Sequence, residues 1–217
     1  MTFYIGSNKI TPSTVVNIGG GTSGKYQLLQ RIKDDNNNEI GTVSGFFSDA
    51  NNVEYAVVCL DAQYRLDSAA WCSNNSTTVT NLPTYSTDQW GPWESKETAT
   101  YNTQKILDFC NANSYTSEAC SHCRSKSFTI DGVTYYGQLP NMIELYDIVR
   151  NHTALNTADP TASSYSSVDF STGRSVWSSS QESNLYVWSA ASHGGMSHYS
   201  RSFTFGVVPV LEIPVSS

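Results

Sequence analysis

Along this chain, apolar residues alternate or cluster in short runs far more often than they recur at helical spacing. Residues 26–47 give two β-leaning runs, YQLLQRI and EIGTVSGFF, around Asp34-Asp35-Asn36-Asn37-Asn38, which predicts a hairpin. Residues 53–60, VEYAVVCL, are almost continuously apolar and rich in β-branched side chains, the pattern of a strand buried on both faces. Residues 61–97 lack periodicity and carry Trp71, Trp90 and Trp93 among Asn, Ser, Thr and Pro, so a long irregular section with aromatic anchors is expected. Helical spacing first appears over 98–113, where Ile106, Leu107, Phe109 and Cys110 share a face and Asn111 with Asn113 provides a stop. Two short runs flank Asp131-Gly132, a compact hairpin signal. In LPNMIELYDIVRNH, Asn141 followed three residues later by Glu144 reads as a cap with its reciprocal acidic partner. Met142, Leu145, Tyr146 and Val149 then define a second helix of about three turns. A Thr-, Ala- and Ser-rich loop is expected over 151–173, before strand character resumes at 176–180 and 185–189. FTFGVVPVLEI closes the chain, with Phe203, Phe205 and Val207 on one face and Pro209 marking an edge or a bulge.

The first residues hold β-prone pieces at 3–5 and 14–18, separated by Gly, Asn and Pro, and end in Gly19-Gly20-Gly21. They are too short for a core of their own, which divides the chain into an attachment arm over 1–24 and one domain over 25–217. GGGTSGKY at 19–26 fits the phosphate loop G-x-x-x-x-G-K, but Tyr26 stands where a Mg²⁺-binding hydroxyl belongs, so a glycine-rich linker is the preferred reading.

Composition narrows the function classes. Charged residues make up 14% and aromatics 12% of 217 residues, a β-rich profile with much turn chemistry. The formal charge of −7 argues against nucleic acid, whose binders need a basic footprint. No apolar run is long enough to cross a bilayer and no secretory signal is visible, so membrane insertion is not expected. The expectation is a soluble chain made in the cytosol that reaches a cell exterior, if at all, by another route such as a virus particle. Five cysteines, Cys59, Cys72, Cys110, Cys120 and Cys123, lack the density of a stapled scaffold. Cys120, His122 and Cys123, with Cys110, suggest half of a zinc site; free buried thiols or a single disulfide rank above it, and no metal or cofactor is expected. Glu144 and Asp147 are read as capping and solvated helix-face residues rather than as a general acid and base.

Residues 177–205 hold nine Ser interleaved with Tyr186, Trp188, His193, His198 and Tyr199, with charge limited to Glu182 and Arg201. Rigid aromatics mixed with small polar groups are the composition of a binding surface. An ordinary Ser-rich loop explains the same composition, and the surrounding frame decides between them. That frame comprises Leu139-Pro140-Asn141-Met142-Ile143-Glu144-Leu145, Trp177-Ser178-Ser179 within 176–180, and Val208-Pro209-Val210-Leu211. Over roughly residues 40–217 it resembles bacterial and phage C-type-lectin-fold domains, and within them the variable proteins of diversity-generating retroelements. The resemblance implies an α+β, C-type-lectin-like fold with two helices, short mostly antiparallel sheets and many irregular loops, preceded by a short β-rich arm.

It also implies a mutable segment that binds partner surfaces while an apolar frame stays fixed. The candidate ligand-binding residues are Glu182, Asn184, Tyr186, Trp188, Ser189, Ser192, His193, Ser197, His198, Tyr199, Ser200 and Arg201, with Leu185, Val187, Phe203 and Phe205 as frame. Tyr186, Trp188, Tyr199 and Arg201 are the expected energetic anchors, since binding energy concentrates in Tyr, Trp and Arg; core packing is an equal reading for Trp188. The opening YIGSNKI resembles short tags of gut-type phage tail proteins, which implies attachment to a particle, at a phage tail or a bacterial surface. The implied partner is a protein or glycan receptor on a cell surface, and a homo-trimer would multiply weak contacts. The E-P-N, Q-P-D and W-N-D tripeptides of calcium-dependent lectins do not occur, nor does the late cysteine pair of formylglycine-generating enzymes. No G-x-S-x-G or H-E-x-x-H occurs either, so a binding protein is expected ahead of a hydrolase or metal enzyme. A structural virion component with a merely solvated Ser-rich face is the other alternative.

Overall fold

In the computed structural model the described residues are 3–5, 8–10, 25–85, 96–162, 175–190 and 195–215. Strands β1 (Phe3–Ile5) and β2 (Asn8–Ile10) pair antiparallel. The rest of the expected arm, including 19–24 of the glycine-rich segment, lies outside the described residues, as do Trp90 and Trp93. Tyr26, at the position of the missing hydroxyl, is buried in the core.

The first large sheet is wholly antiparallel. It contains β3 (Arg31–Lys33), β4 (Glu39–Ser48), β5 (Glu54–Leu60) and β13 (Val210–Pro214) in the order β13-β5-β4-β3. The expected 26–47 hairpin is present, with a shorter first strand. Its turn is fixed by Asp34, whose Oδ1 accepts from the Asn36 and Asn38 amides, and by Asn37 at φ 65°. Central β5 splits its side chains at strand period: Ala56, Val58 and Leu60 join one core cluster with Ile32, Ile40 and Ile213, while Val57 and Cys59 join another with Leu145, Ile148 and Val149. Both faces are therefore covered, as the unbroken apolar run predicts.

One cover is the hairpin β7 (Ser127–Ile130) and β8 (Val133–Tyr136), whose Ile130 enters the first cluster. Asp131 (φ 53°) and Gly132 (φ 76°) both take positive φ, the two-residue turn that Asp-Gly favours. The other cover is α3 (Met142–Ala158). Its capping box is complete: Asn141 Oδ1 accepts from the Glu144 amide at 2.9 Å, and Glu144 Oε2 accepts from the Asn141 amide at 2.8 Å. The helix has 17 residues, so the loop expected from 151 begins later, because Leu155 is buried and prolongs the apolar face through a polar run. Gly45 lets α3 approach β4 closely; a Cβ there would collide with the Asp147 carboxyl. Burial pushes that carboxyl up to about 7, partly opposed by Arg150. Asp147 is thus not the solvated side chain expected, nor is Glu144, which is fully buried and held well above the carboxylate range by burial and by Glu212.

The second large sheet contains β6 (Leu66–Ala70), β9 (Val176–Gln181), β10 (Tyr186–Ala190), β11 (Met196–Ser200) and β12 (Thr204–Val207). Its order is β11-β10-β9-β12-β6, antiparallel except between β12 and β9. Pro209 stands immediately before β13, the edge strand of the first sheet, and marks no bulge. It separates β12 from β13, so the final apolar run leaves one sheet and enters the other.

Helix α1 (Ala99–Ala112) falls where its periodicity places it, capped by Thr98 and by Glu212, which accepts from the Ala99 and Thr100 amides at 2.7 and 2.8 Å. A further helix, α2 (Glu118–Arg124), is capped by Ser117. With it the described residues hold three α-helices rather than two. Its buried positions are Ala119, Cys120 and Cys123, residues that invite a reading as chemistry rather than as an apolar face. The architecture is mixed α+β with mostly antiparallel sheets.

Candidate functional site

The candidate segment is folded into one end of the second sheet. Its base is β9, where Ser178, Ser179 and Ser180 are fully buried. Ser178 Oγ donates to Trp188 O at 2.7 Å, Ser179 Oγ accepts from Asn102 Nδ2 at 3.3 Å, and Ser180 Oγ accepts from the Met142 amide at 3.1 Å. Small polar side chains here tie α1 and α3 to the sheet, so much of the serine content is framework with satisfied hydroxyls.

Two turns meet at that end. In the β9–β10 turn, Ser183 Oγ accepts from the Leu185 and Tyr186 amides, both at 3.3 Å, while the Glu182 and Ser183 amides donate to Tyr186 O. In the β11–β12 turn, the Phe203 amide donates to Ser200 O at 3.1 Å, and the Ser200 and Ser202 hydroxyls are 2.8 Å apart. The Arg201 amide donates to Leu185 O at 3.0 Å and joins the two. Beside them lies loop 73–79, whose Asn74 Oδ1 accepts from the Ser76 and Thr77 amides and whose Ser76 carbonyl accepts from Asn184 Nδ2 at 3.2 Å.

Arg201 holds all three pieces from inside. Its guanidinium donates to Thr77 O at 2.7 Å and to Gln181 Oε1 and Ser183 O at 2.8 Å each, and it lies 4.6 Å above the ring of fully buried Trp71. Only 1% of Arg201 is exposed, and burial pushes it down to about 10. It is therefore not an exposed contact anchor but the internal clamp of the three loops. Gln181, also buried, continues the clamp by donating to Val79 O and Leu82 O and accepting from the Val79 amide.

The other candidates divide by sheet register. Tyr186 pairs with Ser200, Trp188 with His198 and Ser189 with Ser197 across β10 and β11. Tyr186, 40% exposed, and Trp188 both contact the His198 ring, at 5.4 and 5.7 Å between centroids. Trp188 is buried and donates from Nε1 to Tyr85 O at 2.8 Å, and Ser189 is fully buried, so neither presents a contact surface. On the opposite face Tyr199 meets Phe203 and Phe205 edge-on. Asn184 is exposed; Glu182, Ser197, His198, Tyr199 and Ser200 are half-buried. Ser192 and His193 lie outside the described residues.

Of the four frame residues, Val187 is buried and Phe205 half-buried, but Leu185 and Phe203 stand 44% and 51% exposed at the loop end. Sequence reasoning missed them because an apolar residue in a strand-like run reads as core. It also missed the exposed polar run Asn75, Ser76, Thr77 and Thr78, more than a hundred residues upstream. That run's Asn, Ser and Thr content matched the candidate segment's, but proximity was not readable.

The cysteines form no metal centre: His122 Nε2 lies 2.7 Å from Tyr64 O, and among the described residues no group of three or more His, Cys, Asp or Glu is arranged to hold a metal ion. All five thiols are free and buried.

No protein-family model matches the sequence, and no curated protein matches it. The fold is similar to that in the crystal structure of a fimbrial protein from Bacteroides ovatus, with TM-score 0.53 and 14% identity over 87% of this chain and 49% of that one. The chain thus spans about half the length of that protein, and the likeness is one of fold.

Proposed function

We propose that this chain is a ligand-binding protein of the receptor-recognition or adhesion kind, whose contact surface is the loop end of the second sheet. One observation carries the reading. Exposed Leu185 and Phe203 stand on the two turns at that end, with exposed Tyr186 beside them at the start of β10 and in contact with His198, among Asn, Ser and Thr, on turns tied together from below by Arg201. Exposed apolar and aromatic side chains among polar ones are the residue types an interface uses, and loops already tied together reduce the entropy lost on binding. The similarity to a fimbrial protein supports a cell-surface setting. The partner in this reading is a protein or glycan receptor, and the role is binding rather than turnover.

The finer reading is a diversified face on a C-type-lectin-like scaffold, carried on a phage tail or a bacterial surface. The capped α3 after Leu139-Pro140 and the buried Trp177 strand support it as a fixed frame. Sequencing this locus from many cells or particles of one source is the test. Substitutions are expected at Asn184, Tyr186, Ser197, His198 and Ser200, with Trp188, Ser189 and Arg201 invariant. A uniform segment removes the diversification and leaves the binding surface to be tested by itself.

For that surface, Leu185, Tyr186 and Phe203 are replaced together by Ser and the protein is tested against intact bacterial cells and immobilised glycans. All three are exposed, so the unfolding free energy should hold within about 0.5 kcal/mol per site. Retention on the surface that captures the parent should fall by roughly 30-fold or more, the loss expected for one aromatic anchor of about 2 kcal/mol. Undiminished retention, with the fold intact, would assign the binding elsewhere.

A further inference from the structure

Beneath the loop end, Cys72 follows Trp71 at the end of β6, and Cys110 lies on the buried face of α1. Their sulfurs are 3.4 Å apart, each thiol is 2% exposed, and both belong to the core cluster that also holds Trp177 and Val187. We propose that Cys72 and Cys110 are a modification site, at which reaction with an external disulfide joins them into a reversible Cys72–Cys110 bond.

The surroundings favour this pair over the other three thiols. Cys72 donates to or accepts from Cys110, and the pair as a unit loses one proton readily, because the remaining S–H stabilises the thiolate left behind. That contact brings Cys72 down to about 7 and keeps the proton on Cys110; the nearby Arg201 guanidinium adds to the lowering. Cys59, Cys120 and Cys123 are all raised by burial, Cys120 to about 12, which leaves them poor nucleophiles at neutral pH.

The steps balance as follows. The Cys72 thiolate attacks one sulfur of an external disulfide RSSR, forming Cys72–S–S–R and releasing RS⁻, which takes up a proton. Cys110 gives up its proton and attacks the Cys72 sulfur, expelling the second RS⁻. The dithiol is oxidised by two electrons and RSSR is reduced to two RSH. Closure to a bonded distance of about 2 Å brings the sulfurs together by roughly 1.4 Å. The bond closes a loop across 38 positions of sequence and ties the support of Trp71, and hence the seat of Arg201, to α1.

The test uses the full chain, reduced, then equilibrated with oxidised and reduced glutathione at several ratios. Because both sulfurs are buried, a parallel equilibration contains urea just below the unfolding transition, so that access does not limit the outcome. After acid quenching and alkylation, peptides are mapped by mass spectrometry without reduction. Two of the five thiols should be lost, with Cys72 linked to Cys110, and reductant should restore both. The linked form should melt higher by on the order of 5–10 °C. In Cys110→Ala, glutathione should remain on Cys72 as an unresolved adduct. Five alkylated thiols in the urea arm overturn the proposal, as does a link between any other pair or a persistent adduct on Cys72 in the parent chain. The parent's peptide map does not depend on any variant folding.

Discussion

Arg201→Ala is expected to destabilise the protein by about 3 kcal/mol and to lower its melting temperature by roughly 10 °C. Alanine leaves Thr77 O and Ser183 O without the guanidinium and takes one of two donors from Gln181 Oε1, which keeps the Val79 amide; a buried acceptor left stranded costs about 1–3 kcal/mol. The packing against Trp71 is lost as well. Relief from burying a guanidinium, whose affinity for its proton is already lowered to about 10, offsets part of the sum. Arg201→Lys should recover less than half, because a compact ammonium cannot reach three acceptors with the geometry of a planar fork. Thermal melts measure the size of the effect. Hydrogen exchange should locate it at 73–79 and 182–186, which lose their shared clamp. A variant that melts like the parent yet no longer attaches to cells would instead make Arg201 a contact residue.

Stability is expected to fall as pH rises from about 4 to about 7, against the usual behaviour of surface carboxylates, which gain stability with rising pH. Asp147 drives the fall. Its ordinary value of 3.8 describes the unfolded chain, and burial beneath α3 pushes it up to about 7 in the folded protein. Between these values the folded state holds a proton that the unfolded state has released. The slope of stability with pH is therefore negative in that window and flat above it. Three units at about 1.4 kcal/mol each make the loss roughly 4 kcal/mol as an upper bound. Asp147→Asn removes this slope and should be the more stable protein at pH 8, while matching the parent near pH 4. Glu144, also raised, contributes a fall of the same sign that persists in the variant. Urea melts at half-unit steps from pH 4 to 8, on parent and variant, give the difference directly. Parallel curves would show Asp147 ionised in the fold at all these pH values.

Much of the local structure was legible because its causes are local. Asp131-Gly132 turns because both positions take positive φ, and α3 starts at Asn141 because its side chain and Glu144 satisfy each other's amides across three residues. The run 53–60 reports burial on both faces because β5 lies between β4 and β13 with a core cluster on each side. Where the expectation failed, the deciding contacts were distant. Helix α2 hid because Ala and Cys are weak markers of an apolar face. The last turns of α3 hid because Leu155 is a single apolar position in a polar run.

The candidate segment shows the same division. Its amino-acid sequence alone determined the turn chemistry of Ser183 and Ser200 and the β-leaning runs on either side. A two-residue period fixes which side chains alternate across a strand, but it does not say what covers each face. Tertiary structure decided that α3 lies against β10 and buries its Ala190 side, and that the other side faces the cluster of Trp177 and Val187. It decided as well that loop 73–79 folds over the end and carries the Thr77 carbonyl to Arg201 across 124 positions of sequence. That contact turns the most conspicuous charge of the segment inward and leaves Leu185, Tyr186 and Phe203 outside. A guanidinium is soluble enough for any surface, and only three acceptors and a ring converging from separate parts of the chain make its burial stable.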